Sequence, residues 1–218
     1  MSKAIVVSGG VLEEDFVLET LKENEDAYII GVDKGLEFLY RHNIRPHYIV
    51  GDFDSVDPEI IDYYKNETKI PIRQYSPNKD ATDTEKALQL GINLGRTEIL
   101  ILGATGGRID HLWANIQCLC LALKAGVEAY ILDSQNKIRV IDSTCVIKKD
   151  EAFGPNLSVF SLTGEIRGLD ITGVKWPIIS HSLIPYNSLT VSNEFIGEEA
   201  TISFRNGILV VMETRDRK

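Results

Sequence analysis

Glu98-Ile99-Leu100-Ile101-Leu102-Gly103-Ala104-Thr105-Gly106-Gly107-Arg108-Ile109-Asp110-His111 is the segment on which the reading of this chain turns. Its first five residues form a short run, apolar on both sides, as expected of a strand buried in a parallel sheet. A glycine-rich loop follows, and residues 111–125 then read as a largely apolar helix. Strand, glycine loop and helix in that order make a βα unit. Backbone N–H groups at the helix start form an anion site, and Arg108 adds a fixed fork of donors.

The same unit recurs toward the N-terminus. Apolar runs at 4–7, 27–32, 47–50, 70–75, 98–102 and 128–132 alternate with helical patterns at 13–22, 34–42, 58–65, 83–94 and 111–125. That alternation predicts an α/β domain with a mainly parallel sheet over residues 1–140. From 141 to 218 the pattern changes to short strands divided by turns, at 145–148, 157–162, 165–172, 175–179, 188–192, 199–204 and 207–211. Gly154-Pro155, Thr163-Gly164, Thr172-Gly173 and Ile184-Pro185 punctuate them, and the Asn206-Gly207 step predicts a hairpin. The expected fold class is therefore α/β plus all-β, with an N-terminal α/β domain and a C-terminal β-sandwich.

Composition narrows the function. A net charge of −9 disfavours a general nucleic-acid partner, which needs a basic face. ATP remains admissible, provided local arginines, lysines or carboxylate-held metal ions meet its phosphates. Cys118, Cys120 and Cys145 are too few for a disulfide framework and suit a reducing compartment. The apolar run at 4–7 is too short for a signal peptide, and no run reaches the roughly 18 residues of a membrane span. A cytoplasmic protein with no membrane partner is expected.

Four segments fall at the C-terminal ends of expected strands, the edge of an open α/β sheet where ligands bind. They are Gly31-Val32-Asp33-Lys34-Gly35, Gly51-Asp52-Phe53-Asp54-Ser55, Lys79-Asp80-Ala81-Thr82-Asp83-Thr84-Glu85 and the loop Gly103–His111. Asp52 and Asp54 are two apart, so in an extended stretch they share a face and can meet one divalent ion, with Mg²⁺ suited to their hard oxygens. Thr82-x-x-Glu85 is a capping box that starts a helix with Asp83 in its first turn and Asp80 just before it. Taken singly, each has a structural reading: Asp33 and Asp110 as helix caps, Asp54 or Ser55 as a turn residue, Asp83 as a complement to the helix dipole, His111 as a solvated first-turn residue. Taken together, so many carboxylates on one sheet edge repel unless cations neutralise them. Metal-assisted chemistry on a phosphate ester is the economical account.

These segments resemble, in order, the four motifs of the thiamine pyrophosphokinase family. The resemblance continues in Gly173-Val174-Lys175-Trp176-Pro177 and Ser188-Leu189-Thr190-Val191-Ser192-Asn193, and spans roughly residues 4–211. It implies a homodimeric enzyme, its active site between the α/β domain of one subunit and the β domain of the other, that transfers diphosphate from ATP to the thiamine hydroxyl. By resemblance, Asp52, Asp54 and Asp83 hold Mg²⁺, and Asp33, Asp80, Arg108 and Asp110 line the ATP and diphosphate region. Gly106, Gly107 and His111 share the ATP-binding motif with Arg108 and Asp110. Trp176, Thr190, Ser192 and Asn193 belong to the segment that receives thiamine, where an aromatic face suits a flat cation. The chain departs from the family pattern at Lys79, at Thr190 and over residues 177–181, which bears on the thiamine pocket more than on the diphosphate chemistry. Three other readings stand beside this one. A diphosphokinase for another heterocyclic alcohol, such as a pterin, needs no Lys-Trp or Ser-Asn segment; a non-catalytic thiamine or nucleotide sensor tolerates loss of the carboxylates; a structural dimerisation protein leaves the acidic loops unexplained.

Overall fold

The computed structural model describes residues 2–76 and 81–217. Contacts divide the chain between Asp133 and Ser134. In the first unit β1 (Lys3–Val7), β2 (Tyr28–Val32), β3 (Tyr48–Gly51), β4 (Ile72–Gln74), β5 (Glu98–Leu102) and β6 (Glu128–Leu132) alternate with α1 (Glu14–Glu23), α2 (Gly35–Arg41), α3 (Pro58–Asn66), α4 (Asp83–Asn93) and α5 (Ile109–Lys124). The strands pair in parallel in the order β6-β5-β1-β2-β3-β4. Ile5, Ile30, Ile49, Ile99 and Ile131, one from each of five strands, are fully buried. Their two-sided burial explains why the runs read as continuous rather than alternating.

Chain order sets the position of the crevice. From β1 the chain adds β2, β3 and β4 on one side, then returns to place β5 on the other. The strand order therefore reverses between β1 and β5, a switch point of the kind where an open α/β sheet leaves a ligand crevice. Helix starts there are locally encoded. Asp57 caps α3 by accepting from the Glu59 N–H at 2.9 Å, with Pro58 at the first helical position. Thr82 caps α4 by accepting from the Glu85 N–H at 3.2 Å. The Glu85 carboxylate accepts from Gln89 Nε2 at 2.9 Å and from Cys118 Sγ.

The second unit is built of β7 (Asn136–Ile141), β8 (Cys145–Lys148), β9 (Asn156–Ser161), β10 (Ile166–Thr172), β11 (Ile178–Leu183), β12 (Asn193–Glu194), β13 (Glu199–Ser203) and β14 (Leu209–Thr214). One antiparallel layer runs β12-β9-β14-β7 and the other β11-β10-β13-β8. Leu157, Val159, Leu209 and Val211 of the first meet Ile147, Ile166, Leu169, Ile171 and Ile202 of the second in one buried cluster. The α/β-plus-β-sandwich class read from the sequence is the class observed.

Three local expectations change, the first being that the strand expected at 175–179 begins only at Ile178, as β11. The Asn206-Gly207 step does not close a hairpin, because β13 and β14 lie in different layers. Asn206 instead reaches back to the start of β10, accepting from the Arg167 N–H at 2.9 Å and donating to the Glu165 carbonyl at 2.9 Å. It thereby holds a corner between the layers. The strand expected at 188–192 is a turn. Asn187 Oδ1 accepts from the Leu189 N–H at 2.8 Å, as in an Asx turn, and Ser192 has φ +56°. Among the described residues, no helix is long and apolar enough to cross a membrane.

Candidate active site

At the C-terminal edge of the parallel sheet lies a cavity of about 840 Å³, within the size range of small-molecule sites. The loops after β1, β2, β3 and β5 and the start of α4 supply its walls. Asp33, Asp52 and Asp83, each offering one carboxylate oxygen, converge there to within 4.8 Å of one another, and all are partly buried. Asp33 follows β2 with φ +43°, a left-handed conformation that turns the chain sharply into α2. Asp52 follows β3. Asp83 stands in the first turn of α4, where the helix N-terminus favours a negative charge.

Convergence depends on a missing side chain. A Cβ on Gly51 would lie 2.1 Å from Asp33 Oδ1 and 2.9 Å from Phe53 Cε1. Glycine is therefore the residue that lets the Asp33 carboxylate sit over the end of β3. Phe53 then takes φ +64°, and the Asp54 N–H folds back onto Asp52 Oδ1 at 3.2 Å. The extended geometry that would give Asp52 and Asp54 one shared face ends at Gly51. Asp54 lines the same cavity from its exposed side, and the converging group among the described residues is Asp33, Asp52 and Asp83.

Gly107, Arg108 and His111 line the cavity. Gly106, at φ +75°, packs on Val11, since a Cβ there would meet the Val11 side chain at 2.6 Å. Asp110 turns to Arg108, accepting from Nη2 at 2.6 Å and Nε at 3.1 Å. That guanidinium holds the Asp110 carboxyl below the ordinary carboxylate range, while the carboxylate raises the arginine. Asp80 lies outside the described residues.

The residues expected from the resemblance to contact thiamine lie in the second unit. Trp176 is half exposed, with the Lys175 ammonium 4.7 Å from its ring centroid. Lys175 in turn donates to both oxygens of Glu194, at 2.9 and 3.1 Å. Asn193 is only 5% exposed and turns inward. Its Oδ1 accepts from the Trp176 and Glu194 N–H groups at 3.0 Å each, and its Nδ2 donates to the Trp176 carbonyl at 2.7 Å. Thr190 is buried and donates to the Val159 carbonyl. Ser192 is exposed, its N–H donating to Ser158 Oγ at 2.9 Å.

Sequence reasoning passed over Ser8-Gly9-Gly10 and Asn115 and gave no role to Thr84 and Thr105 within the segments it marked, and all of these line the cavity. The first of these was detectable, being an apolar strand followed by glycines, the signal used at Gly103. Gly10 donates to the Gly103 carbonyl at 2.7 Å, and a Cβ on Gly10 would lie 2.4 Å from that oxygen, so the two glycine loops close on each other. Thr105 donates to Asp133 Oδ2 at 2.6 Å and Asn115 Nδ2 to the Ala104 carbonyl at 3.1 Å, fixing the loop from β6 and α5. Nothing local to those residues signals this.

A switch-point crevice that joins a carboxylate cluster to a glycine-rich helix start suits chemistry on a phosphorylated ligand, and comparison with known proteins places the chain among transferases. Residues 19–131 match the family model described as thiamin pyrophosphokinase, catalytic domain, and residues 144–209 the model described as thiamin pyrophosphokinase, vitamin B1 binding domain. The chain belongs to the thiamin pyrophosphokinase family. It is 33% identical to the thiamine pyrophosphokinase of Bacillus subtilis (strain 168) over 195 residues, which is 88% of this chain and 90% of that one. The crystal structure of the Bacillus subtilis thiamine pyrophosphokinase superposes with a TM-score of 0.86 at 30% identity, covering 99% of this chain and 100% of the other. Yeast thiamin pyrophosphokinase, at 16% identity, has the same fold, with a TM-score of 0.81 over 98% of this chain and 86% of its own.

Proposed function

We propose that this chain transfers the diphosphate of ATP to the hydroxyl of thiamine, giving thiamine diphosphate and AMP, with the help of Mg²⁺. The observation that carries the reading is the convergence of Asp33, Asp52 and Asp83 beside the glycine-rich start of α5 in a cavity large enough for a nucleotide. Three hard oxygen donors within 4.8 Å of one another fit a cation that binds a few carboxylates and keeps its other positions for water and phosphate. Asp33, Asp52 and Asp83 would hold it, with Asp54 at the rim acting through water. When bound, the ion supplies the positive charge that phosphate oxygens need as the diphosphate moves.

The residues do the positioning. Backbone N–H groups at the start of α5 and the exposed Arg108 side chain bind phosphate oxygens. Arg108 exchanges Asp110 for phosphate as the nucleotide enters, and Lys34, also on the cavity wall, adds a second cation. Holding the thiamine hydroxyl in line with the β-phosphorus supplies most of the acceleration, since such transfers rest on alignment and charge neutralisation. With Asp33 assigned to the ion, Asp80 is the carboxylate proposed to accept the hydroxyl proton.

The first unit is proposed to carry ATP and the chemistry, and the second the thiamine contacts, with Trp176 stacking on the cationic ring. The active form is proposed to be a homodimer in which the second unit of one subunit completes the cavity of its partner. Exposed Trp176, Tyr186, Leu189, Val191 and Ile196 support such a contact. Cytoplasmic residence fits the three free cysteines.

The test is a mass-spectrometric assay with ATP, Mg²⁺ and thiamine, with and without EDTA. Equal amounts of thiamine diphosphate and AMP, formed only with metal, are expected. AMP without thiamine diphosphate would move the assignment to hydrolysis or another acceptor. Mixing Asp83→Asn and Trp176→Ala chains tests the dimer, because a shared site regains activity in the mixture and a self-contained one does not.

A further inference from the structure

The opposite, N-terminal edge of β3 and β4 carries a second recess. A cavity of about 340 Å³ opens among the C-terminal turns of α2 and α3 and the segments leading into β3 and β4. A neighbouring cavity of about 420 Å³ shares Arg45, Lys69 and Ile70 with it, so the two adjoin. One wall is aromatic. Tyr40 and Tyr63 meet edge to face at 5.0 Å, and Tyr63 and Tyr64 at 5.3 Å. Tyr40 and Tyr63 remain 43% and 41% exposed, leaving ring surface for a further planar group. Burial, reinforced by Tyr63 and Tyr40, pushes the Tyr64 phenol up to about 12, so it stays a neutral hydrogen-bonding group. The rim is basic. Arg45 and Lys69 are exposed cations, and Glu67 is the only carboxylate among the described lining residues. In a chain of net charge −9 this is a local reversal of sign.

We propose that this recess is a second ligand site, for a planar ring carrying phosphate, and that its occupancy is felt at the carboxylate cluster through α3. The tyrosine wall takes the ring; Arg45 and Lys69 take the phosphate, the guanidinium by two parallel hydrogen bonds. The connection is a run of packed side chains. Tyr64 and Ile70, which line the recess, belong to the same buried cluster as Phe53 and Val56. Phe53 stands between Asp52 and Asp54 in its left-handed conformation. Helix α3 itself begins just after that loop, capped by Asp57, and ends at the recess. A ring seated on Tyr63 loads Tyr64 and α3, and a close-packed cluster shifts as a unit rather than compressing.

Three compounds of this class meet the proposed reaction, ATP and the products thiamine diphosphate and AMP, and the two products serve as probes. The choice of probes rests on that reaction; the recess does not. Equilibrium dialysis of the full chain with each probe is compared between the natural sequence and Arg45→Glu/Lys69→Glu, both positions being exposed and outside the catalytic machinery. Two sites per chain are expected for at least one probe, with the second weakened tenfold or more by charge reversal. Turnover at low product is expected to be unchanged in the variant, and the part of product inhibition that excess ATP and thiamine do not relieve is expected to disappear. Tyr63→Ala tests the aromatic half without altering charge. A single site for both probes, or a second site indifferent to both variants, overturns the proposal. If the chain bound a probe at the recess yet made no thiamine diphosphate, the reaction assignment would fail and the recess would stand.

Discussion

Gly51→Ala probes the carboxylate cluster without removing a charge. The new methyl would lie 2.1 Å from Asp33 Oδ1 and 2.9 Å from Phe53 Cε1. Ordinary contact between heavy atoms begins near 3.5 Å, so the Asp33 carboxylate must retreat by roughly 1 Å or more. Ligand positions in a metal site tolerate about 0.2 Å, and a misplacement of about 1 Å at a reacting centre costs on the order of 10²-fold in rate. The expected outcome is a fall in kcat/KM of about 10²-fold, equivalent to ~2.7 kcal/mol of transition-state stabilisation, with a weaker response to Mg²⁺. Overpacking also costs stability, about 1–3 kcal/mol, which denaturant unfolding measures separately. The assay is thiamine diphosphate formation across a Mg²⁺ titration, repeated in an Asp33→Asn background. If Gly51 acts by making room for Asp33, the two losses will not add. Turnover within about threefold of the natural chain, or a full additional loss in the Asp33→Asn background, would refute the reasoning.

Asp83→Asn is expected to remove most turnover while leaving the melting temperature near that of the parent, because the amide keeps the shape but not the charge that the cluster offers a cation; near-normal turnover would sink the ligand assignment. Asn193→Ala is expected to destabilise the second unit by about 1–3 kcal/mol, since three backbone groups lose their partner. It should also raise the KM for thiamine more than that for ATP, through displacement of Trp176, and equal rises in steady-state kinetics would argue against that role. Burial and the neighbouring Glu85 push the Cys118 thiol up to about 12. A group raised in the folded state contributes stability that is present below its unfolded value and lost as pH climbs toward the folded one. Thermal stability should therefore decline between about pH 9 and 12, Cys118→Ser should blunt that decline, and an unchanged decline in the variant would count against it. At pH 8 Cys118 should react with thiolate-directed reagents far more slowly than free cysteine.

The architecture was legible because its causes are local. Parallel strands buried on both faces leave continuous apolar runs, helix starts need caps such as Thr82 and Asp57, and an anion-binding loop needs glycines before a helix. The four strand-end segments could be read for the same reason, whereas the change to short strands, expected after residue 140, starts with β7 at Asn136, just past the division at Asp133. What the chain alone did not determine depends on residues far apart in sequence. That Asp33 joins Asp52 and Asp83 follows from the empty space over Gly51 and from the left-handed turn at Phe53, which ends the extended geometry that spacing by two assumes. Asn206-Gly207 carries a hairpin signal, yet the partners of Asn206 lie at the start of β10 and just before it, so the turn joins two layers. Asn193, in a segment that the family resemblance marks for thiamine contact, spends its side chain on the backbone of Trp176, 17 residues away. Local sequence set which groups were available, and long-range packing chose which of them face one another.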